Sequence, residues 1–283
     1  MPILVLGSHK AAPHTEVVNS FEQHLGTLGI NARIEKHWLD SESTRQSDLL
    51  DQAAGGDFKA VLTLGVSAAK LAGEKITNTP IVAGLLLDAD DLQTRKNVTG
   101  VLLEFAPEFQ FQWIGKLLPG IRNVGVLYNP RKSQHRIDRA VAIAKSMGLN
   151  LLARQIEKPT DIPGALNDLV TKIDCLWGIP DPIVYNPQTA KHILLFSLQN
   201  GIPLIGLSES WVKAGAIFAL NTNNEDIGAQ CAEAMAEALR NKAASGGILE
   251  ARSASYSLNL KTAEQLKINI PEGIIRGARE LFR

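Results

Sequence analysis

Ile3-Leu4-Val5-Leu6 is a run of four apolar residues followed at once by Gly7-Ser8-His9. From Val17 onward, Phe21, Leu25 and Leu28 recur at spacings of four, four and three before Gly29. The first run reads as a short buried strand, and the second as a core-facing helix stopped by Gly29. A further strand is expected at Ala32 to Glu35. Strand, helix, strand is the crossover that a parallel sheet requires. Outward from this unit the apolar runs Ala60 to Leu64, Ile81 to Leu85 and Val98 to Leu103 repeat the theme. All five strands are short and apolar enough to predict burial on both faces.

At Phe105-Ala106-Pro107 the pattern restarts, with a helix from about Glu108 to Leu118 closed by Pro119-Gly120 and a strand at Val124 to Tyr128. A helix over Gln134 to Met147 presents Ile137, Val141 and Ala144. Then come strand Leu149 to Ala153, helix Ile162 to Val170, strand Ile173 to Trp177, helix Gln188 to Gln199, and strands Pro203 to Leu207 and Ala216 to Leu220. Asn221-Thr222-Asn223-Asn224 breaks the pattern, and an alanine-rich helix runs from Glu225 to Arg240. A Gly246-Gly247 loop, an extended stretch Ile248 to Leu260 and a terminal helical region complete the chain. Two doubly wound units without a Pro/Ser/Gly-rich linker imply two lobes on short hinges. Ligands of such sheets sit outside the carboxyl ends of the strands, so function is expected between the lobes.

Composition narrows the classes. The 283 residues suit two domains or one large α/β unit, and 45% hydrophobic against 20% charged residues excludes intrinsic disorder. Twenty-nine basic and 29 acidic side chains cancel, with no block of five like charges, which argues against a partner bound through nucleic-acid phosphates. The longest apolar run, Ile81 to Leu87, ends at Asp88, far short of the ~20 residues of a membrane helix. Cys175 and Cys231 have no metal-ligand spacing and read as buried hydrophobes. Met1-Pro2 leads straight into the first strand, so the expectation is either a cytoplasmic protein or one whose signal segment has been removed.

The chemistry-bearing motifs are sparse. Gly7 to Thr15 stands where a phosphate loop would be, but its single glycine lacks the G-x-G-x-x-G and G-x-x-x-x-G-K-[ST] spacings. Gly65-Val66-Ser67 follows a strand and precedes a helix. Ser67 fits two roles there, contact to an anionic or hydroxyl group and cap of the helix. There is no G-x-S-x-G, H-E-x-x-H or C-x-x-C. Of His9, His14, His24, His37, His135 and His192, only His9 and His14 fall on a strand-end loop. Trp177-Gly178-Ile179-Pro180-Asp181-Pro182 places a carboxylate between two prolines, which would hold Asp181 rigidly with its charge facing a cleft; the same residues suit a plain turn. Ser208, followed by Glu209-Ser210-Trp211, suits either a ligand contact or the cap of a short helix, with Trp211 a core candidate.

The runs Val124-Gly125-Val126-Leu127-Tyr128-Asn129-Pro130, Trp177 to Pro182, Ile202-Pro203 through Val212-Lys213-Ala214-Gly215-Ala216, and above all Asn259-Leu260-Lys261-Thr262-Ala263-Glu264-Gln265-Leu266 with Ile270-Pro271 carry a family likeness. Together they resemble ABC-transporter substrate-binding proteins, in the branch of tryptophan- and tyrosine-type binders and many members of unassigned ligand. The resemblance implies the type I periplasmic-binding-protein fold, an α/β fold of two doubly wound parallel-sheet lobes joined by hinges with a ligand cleft between them. Three crossings are expected near Glu104 to Ala106, Leu220 to Thr222 and Ala251 to Ser253. Lobe one is then 1–105 plus 220–251, and lobe two 106–219 plus 252–283.

Carried over by position, the implied ligand contacts are Ser8 and His9, Gly65, Val66 and Ser67, Leu86 and Leu87, Asn129 and Ser133, Asp181, Ser208 and Glu209, and Asn221. No catalytic residue, metal or cofactor is implied. The expected partners are a small polar ligand, an amino acid or related compound, and an ABC permease in the membrane, without nucleic acid. The chain is expected to be a monomer, periplasmic or membrane-anchored on the extracytoplasmic side. Two departures bear on the ligand: Ala11-Ala12-Pro13 stands where amino-acid binders carry His-Pro, and Pro182 where they tend to carry asparagine. Three other readings share the pattern. A ligand sensor would feed a signalling partner; an α/β enzyme would need a phosphate cradle or a partnered base; a repressor would begin with a helix-turn-helix rather than a strand.

Overall fold

Parallel strands cannot be joined by tight turns, and the chain supplies a crossover for each. The computed structural model of the protein describes residues 1–39, 43–87, 92, 94–241 and 247–283, with 43 and 44 as backbone. Asp88, and Gly246 of the expected loop, lie outside the described residues. The first stretch runs β1 (Pro2–Gly7), α1 (Ala12–Thr27), β2 (Arg33–Trp38), α2 (Ser43–Gly55), β3 (Ala60–Leu64), α3 (Val66–Lys75), β4 (Ile81–Leu86) and β5 (Val98–Phe105). Next come α4 (Pro107–Leu117), β6 (Asn123–Tyr128), α5 (Pro130–Ser146), β7 (Asn150–Gln155), α6 (Ile162–Leu169), β8 (Cys175–Trp177), α7 (Pro187–Gln199), β9 (Leu204–Ile205), α8 (Glu209–Ala214) and β10 (Phe218–Thr222). The chain then forms α9 (Asn224–Asn241) and β11 (Gly247–Ala251), and closes with β12 (Ala254–Asn259), α10 (Leu260–Gln265), α11 (Glu272–Arg276) and β13 (Glu280–Phe282). It divides into two compact units, Met1–Phe105 with Thr222–Ser253, and Ala106–Asn221 with Ala254–Arg283.

The first unit holds a six-stranded sheet in the order β11-β5-β4-β3-β1-β2, parallel throughout. Leu4, Leu6, Val61, Ile81 and Ala83 share one cluster with Leu49 and Leu50 of α2 and Ala68, Ala69 and Ala72 of α3, so these helices cover that face. Helix α9 packs on α1 and over β3, β4 and β5. Its contact with α1 requires a glycine. A Cβ on Gly228 would lie 2.6 Å from the Val17 carbonyl oxygen and 2.7 Å from Ser20 Cβ, so only a hydrogen at this position lets the two backbones meet.

The second unit holds a seven-stranded sheet ordered β13-β12-β10-β9-β8-β6-β7. Its pairs β6 with β7, β6 with β8, β8 with β9, β9 with β10 and β12 with β13 are parallel. At its centre Trp177 is fully buried. The indole meets Phe111 edge-on at 5.0 Å and donates from Nε1 to Gln110 Oε1 at 2.8 Å. The buried polar end of the aromatic is thereby satisfied.

Several local expectations are corrected. Strand β2 is not buried: it forms the sheet edge, and only His37 among its residues is enclosed, which suits Arg33, Glu35 and Lys36 on an edge that must resist further pairing. Helix α1 stops at Thr27, one residue short of Leu28, which is exposed; Gly29 takes up the left-handed turn at φ +75. Val141 points outward from α5. The strand expected from Ile173 begins only at Cys175, and α2 fills a segment where the sparse apolar residues Leu49, Leu50 and Ala53 gave no clear periodicity. Asn221 and Thr222 do not break the pattern but continue β10. Asn223 then caps α9, its side-chain oxygen accepting from the Glu225 and Asp226 amides at 2.9 and 3.4 Å. The extended stretch after Gly247 is two strands in different sheets, and the terminal region ends in a strand, β13.

Replacing Gly228 with valine forces α1 and α9 apart, an overpacking cost of about 1–3 kcal/mol. A urea melt of Gly228→Val therefore has its midpoint well below that of the parent; an unchanged midpoint refutes the close crossing.

Candidate functional site

In each sheet one strand has its sequence neighbour on one side and the following strand on the other, which opens a crevice beyond their carboxyl ends. In the first unit this point lies between β1 and β3. Ser8, just past β1, donates its amide to the Leu64 carbonyl at 2.9 Å, and its Oγ accepts from the Ala68 amide at 3.1 Å. The hydroxyl thus caps α3 from another loop. Gly65 begins the helix at φ +89, where a Cβ would also stand 2.7 Å from Ser8 Oγ. The start of α3 leaves the Val66 and Ser67 amides without acceptors in the helix. Both residues are exposed, Val66 to 46%, and Leu87 beyond the adjacent β4 is 61% exposed, whereas Leu86 is buried.

Three further residues join this cluster. His9 is exposed, and its ring stands edge-on to His14 at 6.1 Å; His14 in turn stands edge-on to Trp38 at 6.4 Å. The Trp38 ring lies over Gly7, so tightly that a Cβ there would collide with it. Burial, and secondarily the nearby His9, hold the His14 imidazole below its ordinary value of 6.5. His14 Nδ1 is buried without a hydrogen-bond partner.

The matching point in the second unit lies between β6 and β8, and Asp181 ties it together. Its Oδ2 accepts from the Asn129 amide at 2.7 Å and Ser133 Oγ at 2.8 Å, and its Oδ1 from the Ile183 and Val184 amides at 3.0 and 3.2 Å. Asn129 caps α5 by accepting from the Arg131 amide and reaches β7 by donating to the Ile156 carbonyl at 2.7 Å. Arg136 donates to the Pro180 carbonyl at 3.1 Å. The expectation that Asp181 turns an open charge outward is corrected. It is 2% exposed, and four donors occupy its carboxylate, because the Pro-Asp-Pro turn points the side chain back under its own loop. Asn129 and Ser133 are buried with it.

Ser208, Glu209 and Asn221 form a separate group. The Glu209 amide donates to Asn221 Oδ1 at 3.2 Å, and Asn221 Nδ2 donates to Ser257 Oγ at 2.9 Å. Ser208 begins α8, but its hydroxyl pairs with Ser210 Oγ at 2.8 Å rather than with a helix amide. Trp211 is partly buried against the core and meets Tyr185 edge-on. Trp38, Arg136 and Ser257 escaped sequence reasoning. The only sequence signal for Trp38 was an aromatic at a strand end, and Ser257 carried none.

The described residues offer binding groups. Both cysteines are buried, with their thiols pushed up to about 12, so neither offers a thiolate near neutrality. No group of three or more metal-ligating side chains converges among the described residues. The clusters offer hydroxyls, amides, imidazoles and apolar edges at strand ends, as in a receptor for a small molecule.

The class is borne out by comparison. Residues 14–282 match the family model described as ABC transporter substrate binding protein, and the chain belongs to that family. The fold is shared with a conserved domain protein from Vibrio cholerae (22% identity, 99% of both chains, TM-score 0.60). It is shared also with a Streptococcus pneumoniae ABC domain in complex with L-Trp (18%, 99% of both, 0.60). A third is the ligand-free, open structure of a Clostridium difficile substrate-binding protein with adhesive properties (17%, 99% of both, 0.76). A search of curated proteins finds no match. The family is one of substrate-binding proteins rather than enzymes, and it implies a small-molecule ligand and an ABC permease partner. No helix among the described residues is long and apolar enough to cross a membrane.

Two outcomes follow. Asp181→Ala strands three buried donors, each worth about 1–3 kcal/mol when left unpaired, and the partly buried Ile183 amide, so thermal unfolding of the variant begins well below that of the parent; equal melting would show the carboxylate to be dispensable. For His14 the folded state favours the neutral ring, so the unfolded chain takes up the proton first as pH falls below 6.5. Its contribution is complete above that pH and is lost through the lower folded value. An NMR titration of His14 has its midpoint below 6.5, and His14→Gln reduces the drop in melting temperature between pH 7.5 and pH 5.

Proposed function

We propose that the protein captures an amino acid or a related small polar molecule, with an apolar part, and delivers it to an ABC permease. The observation that carries the proposal is the pairing of a family match over nearly the whole chain with ordered polar loops at both strand-switch points. In this reading the ligand is enclosed between the lobes by hinge closure at the three crossings. Ser8, His9 and the Gly65-Val66-Ser67 turn hold its oxygens, and Val66 and Leu87 meet its apolar part. Asp181 acts indirectly, by fixing Asn129 and Ser133. Ser208, Glu209 and Asn221 line the far side. Closure is a population shift that the ligand drives only by binding the closed state better. The L-Trp complex of the Streptococcus pneumoniae structure supports an amino-acid ligand. A monomer held outside the cytoplasm, in the periplasm or at a membrane anchor, suits such a shuttle.

The test is native mass spectrometry of the purified protein, with identification of anything released on denaturation, followed by a thermal-shift screen of amino acids and related acids. The expected result is one unaltered metabolite per chain, and a ligand at 100 times its dissociation constant adds about 2.7 kcal/mol. Leu87→Glu weakens that binding at least tenfold while leaving the unliganded melting temperature unchanged. Release of a chemically altered product would replace the receptor reading with an enzyme.

A further inference from the structure

His14 stands in the first turn of α1, and its half-buried ring lies among the ends of β1, β2 and β3. His9, after β1, and Trp38, which closes β2, both meet it edge-on. Its Nε2 is turned to Gly65, after β3, and would stand 3.3 Å from a Cβ at that position. The glycine thus keeps this nitrogen uncovered as well as supplying the φ of +89. Nδ1, in contrast, is buried without a hydrogen-bond partner. A proton on Nδ1 would be a buried donor that gives up its hydration for nothing. The bare lone pair is the lesser loss, since unsatisfied acceptors are tolerated more often than orphaned N–H groups. A neutral imidazole carries one donor and one acceptor, so its proton belongs on Nε2. A second proton would meet the same obstacle at Nδ1, in line with the lowering of the ring below 6.5 by burial and by His9.

We propose that His14 is a specificity-determining residue whose Nε2–H donates to an oxygen of the captured molecule at the Gly65 turn. The proposal rests on the receptor reading given above and deepens it. At the same turn the Val66 and Ser67 amides are donors without acceptors in α3, and Ser8 Oγ is already engaged by the Ala68 amide. Nε2–H adds a side-chain donor to these two backbone ones. A neutral ring held in a single tautomer asks for an acceptor within hydrogen-bond reach, where a cationic ring would attract any anion from a distance. An acid or carbonyl oxygen meets that demand. An ammonium or other N–H group finds no acceptor on this ring. For an amino acid the orientation follows, with its acid end at the turn of the first unit and its amino end elsewhere.

The test is NMR of the full chain with isotope-labelled histidine near neutral pH, reading both ring nitrogens through the carbon-bound ring protons. The expected state of His14 is a protonated Nε2 and a bare Nδ1. Acetate, acetamide and methylammonium are then added separately at equal concentration. Acetate or acetamide shifts His14 Nε2 together with the Val66 and Ser67 amides, methylammonium does not, and His135, exposed on α5, stays still with all three. A larger response to acetate assigns an acid group to the position, and a larger response to acetamide a neutral oxygen. His14→Gln, whose side-chain amide can stand in for Nε2–H, keeps the response of the two backbone amides, whereas His14→Phe weakens binding of the oxygen probe roughly tenfold, the loss of one hydrogen bond. A proton on Nδ1, a shift with methylammonium, an equal shift at His135, no shift with either oxygen probe, or an unimpaired His14→Phe overturns the proposal. Failure of the receptor reading shows separately, as a chemically altered product released on denaturation while the tautomer remains as expected.

Discussion

The parallel pairing of β1 with β3, and of β6 with β8, is the constraint from which the rest follows. A parallel strand must return to its starting end through a crossover, so every strand in such a sheet finishes on the same rim. The loops that follow are freed from the work of pairing and collect there. Each unit reverses its winding once, and at that reversal two loops lack the helix that would otherwise cover them. Ser8 and Gly65 meet at one such place, Asn129 and Asp181 at the other.

The two places are built differently. In the first, a neutral hydroxyl caps a helix across the crevice, and exposed apolar and imidazole groups surround it. In the second, a charged group is spent inward: Asp181 gathers two loops and two successive amides around itself. Charge-assisted bonds are the stronger kind, and a buried carboxylate with all its acceptor sites filled rigidifies what it touches. The first cluster is thus the more adaptable, the second the more fixed.

Much of the fold was legible because buried parallel strands are nearly continuous apolar runs, and Ile3 to Leu6, Ala60 to Leu64 and Ile81 to Leu85 stand out from any background. Edge elements were less so: β2 was expected as a strand but as a buried one, and β13 was not expected as a strand at all, since both draw their place from pairing rather than from composition. Helix α2 offers the core only a few apolar residues, too few for a clear period. For the site, sequence identified the loops but not the direction of the side chains. Nothing in Pro180-Asp181-Pro182 says whether the carboxylate looks out or folds under, because that depends on Asn129, some fifty residues away. Trp38 over Gly7 is a contact between two strands of which neither alone carries a sign.

The fit of Gly228 against α1 has a bearing on how the protein is made. Helix α9 belongs to the first unit but is encoded after the whole of Ala106–Asn221. On a ribosome adding about 5–20 residues per second, the nascent first unit waits on the order of ten seconds with the apolar side that α9 will cover still open. The second unit waits in turn for Ala254–Arg283 to emerge. Neither can be completed before synthesis is nearly done, so the unfinished chain keeps apolar surface open that a holding chaperone can grasp.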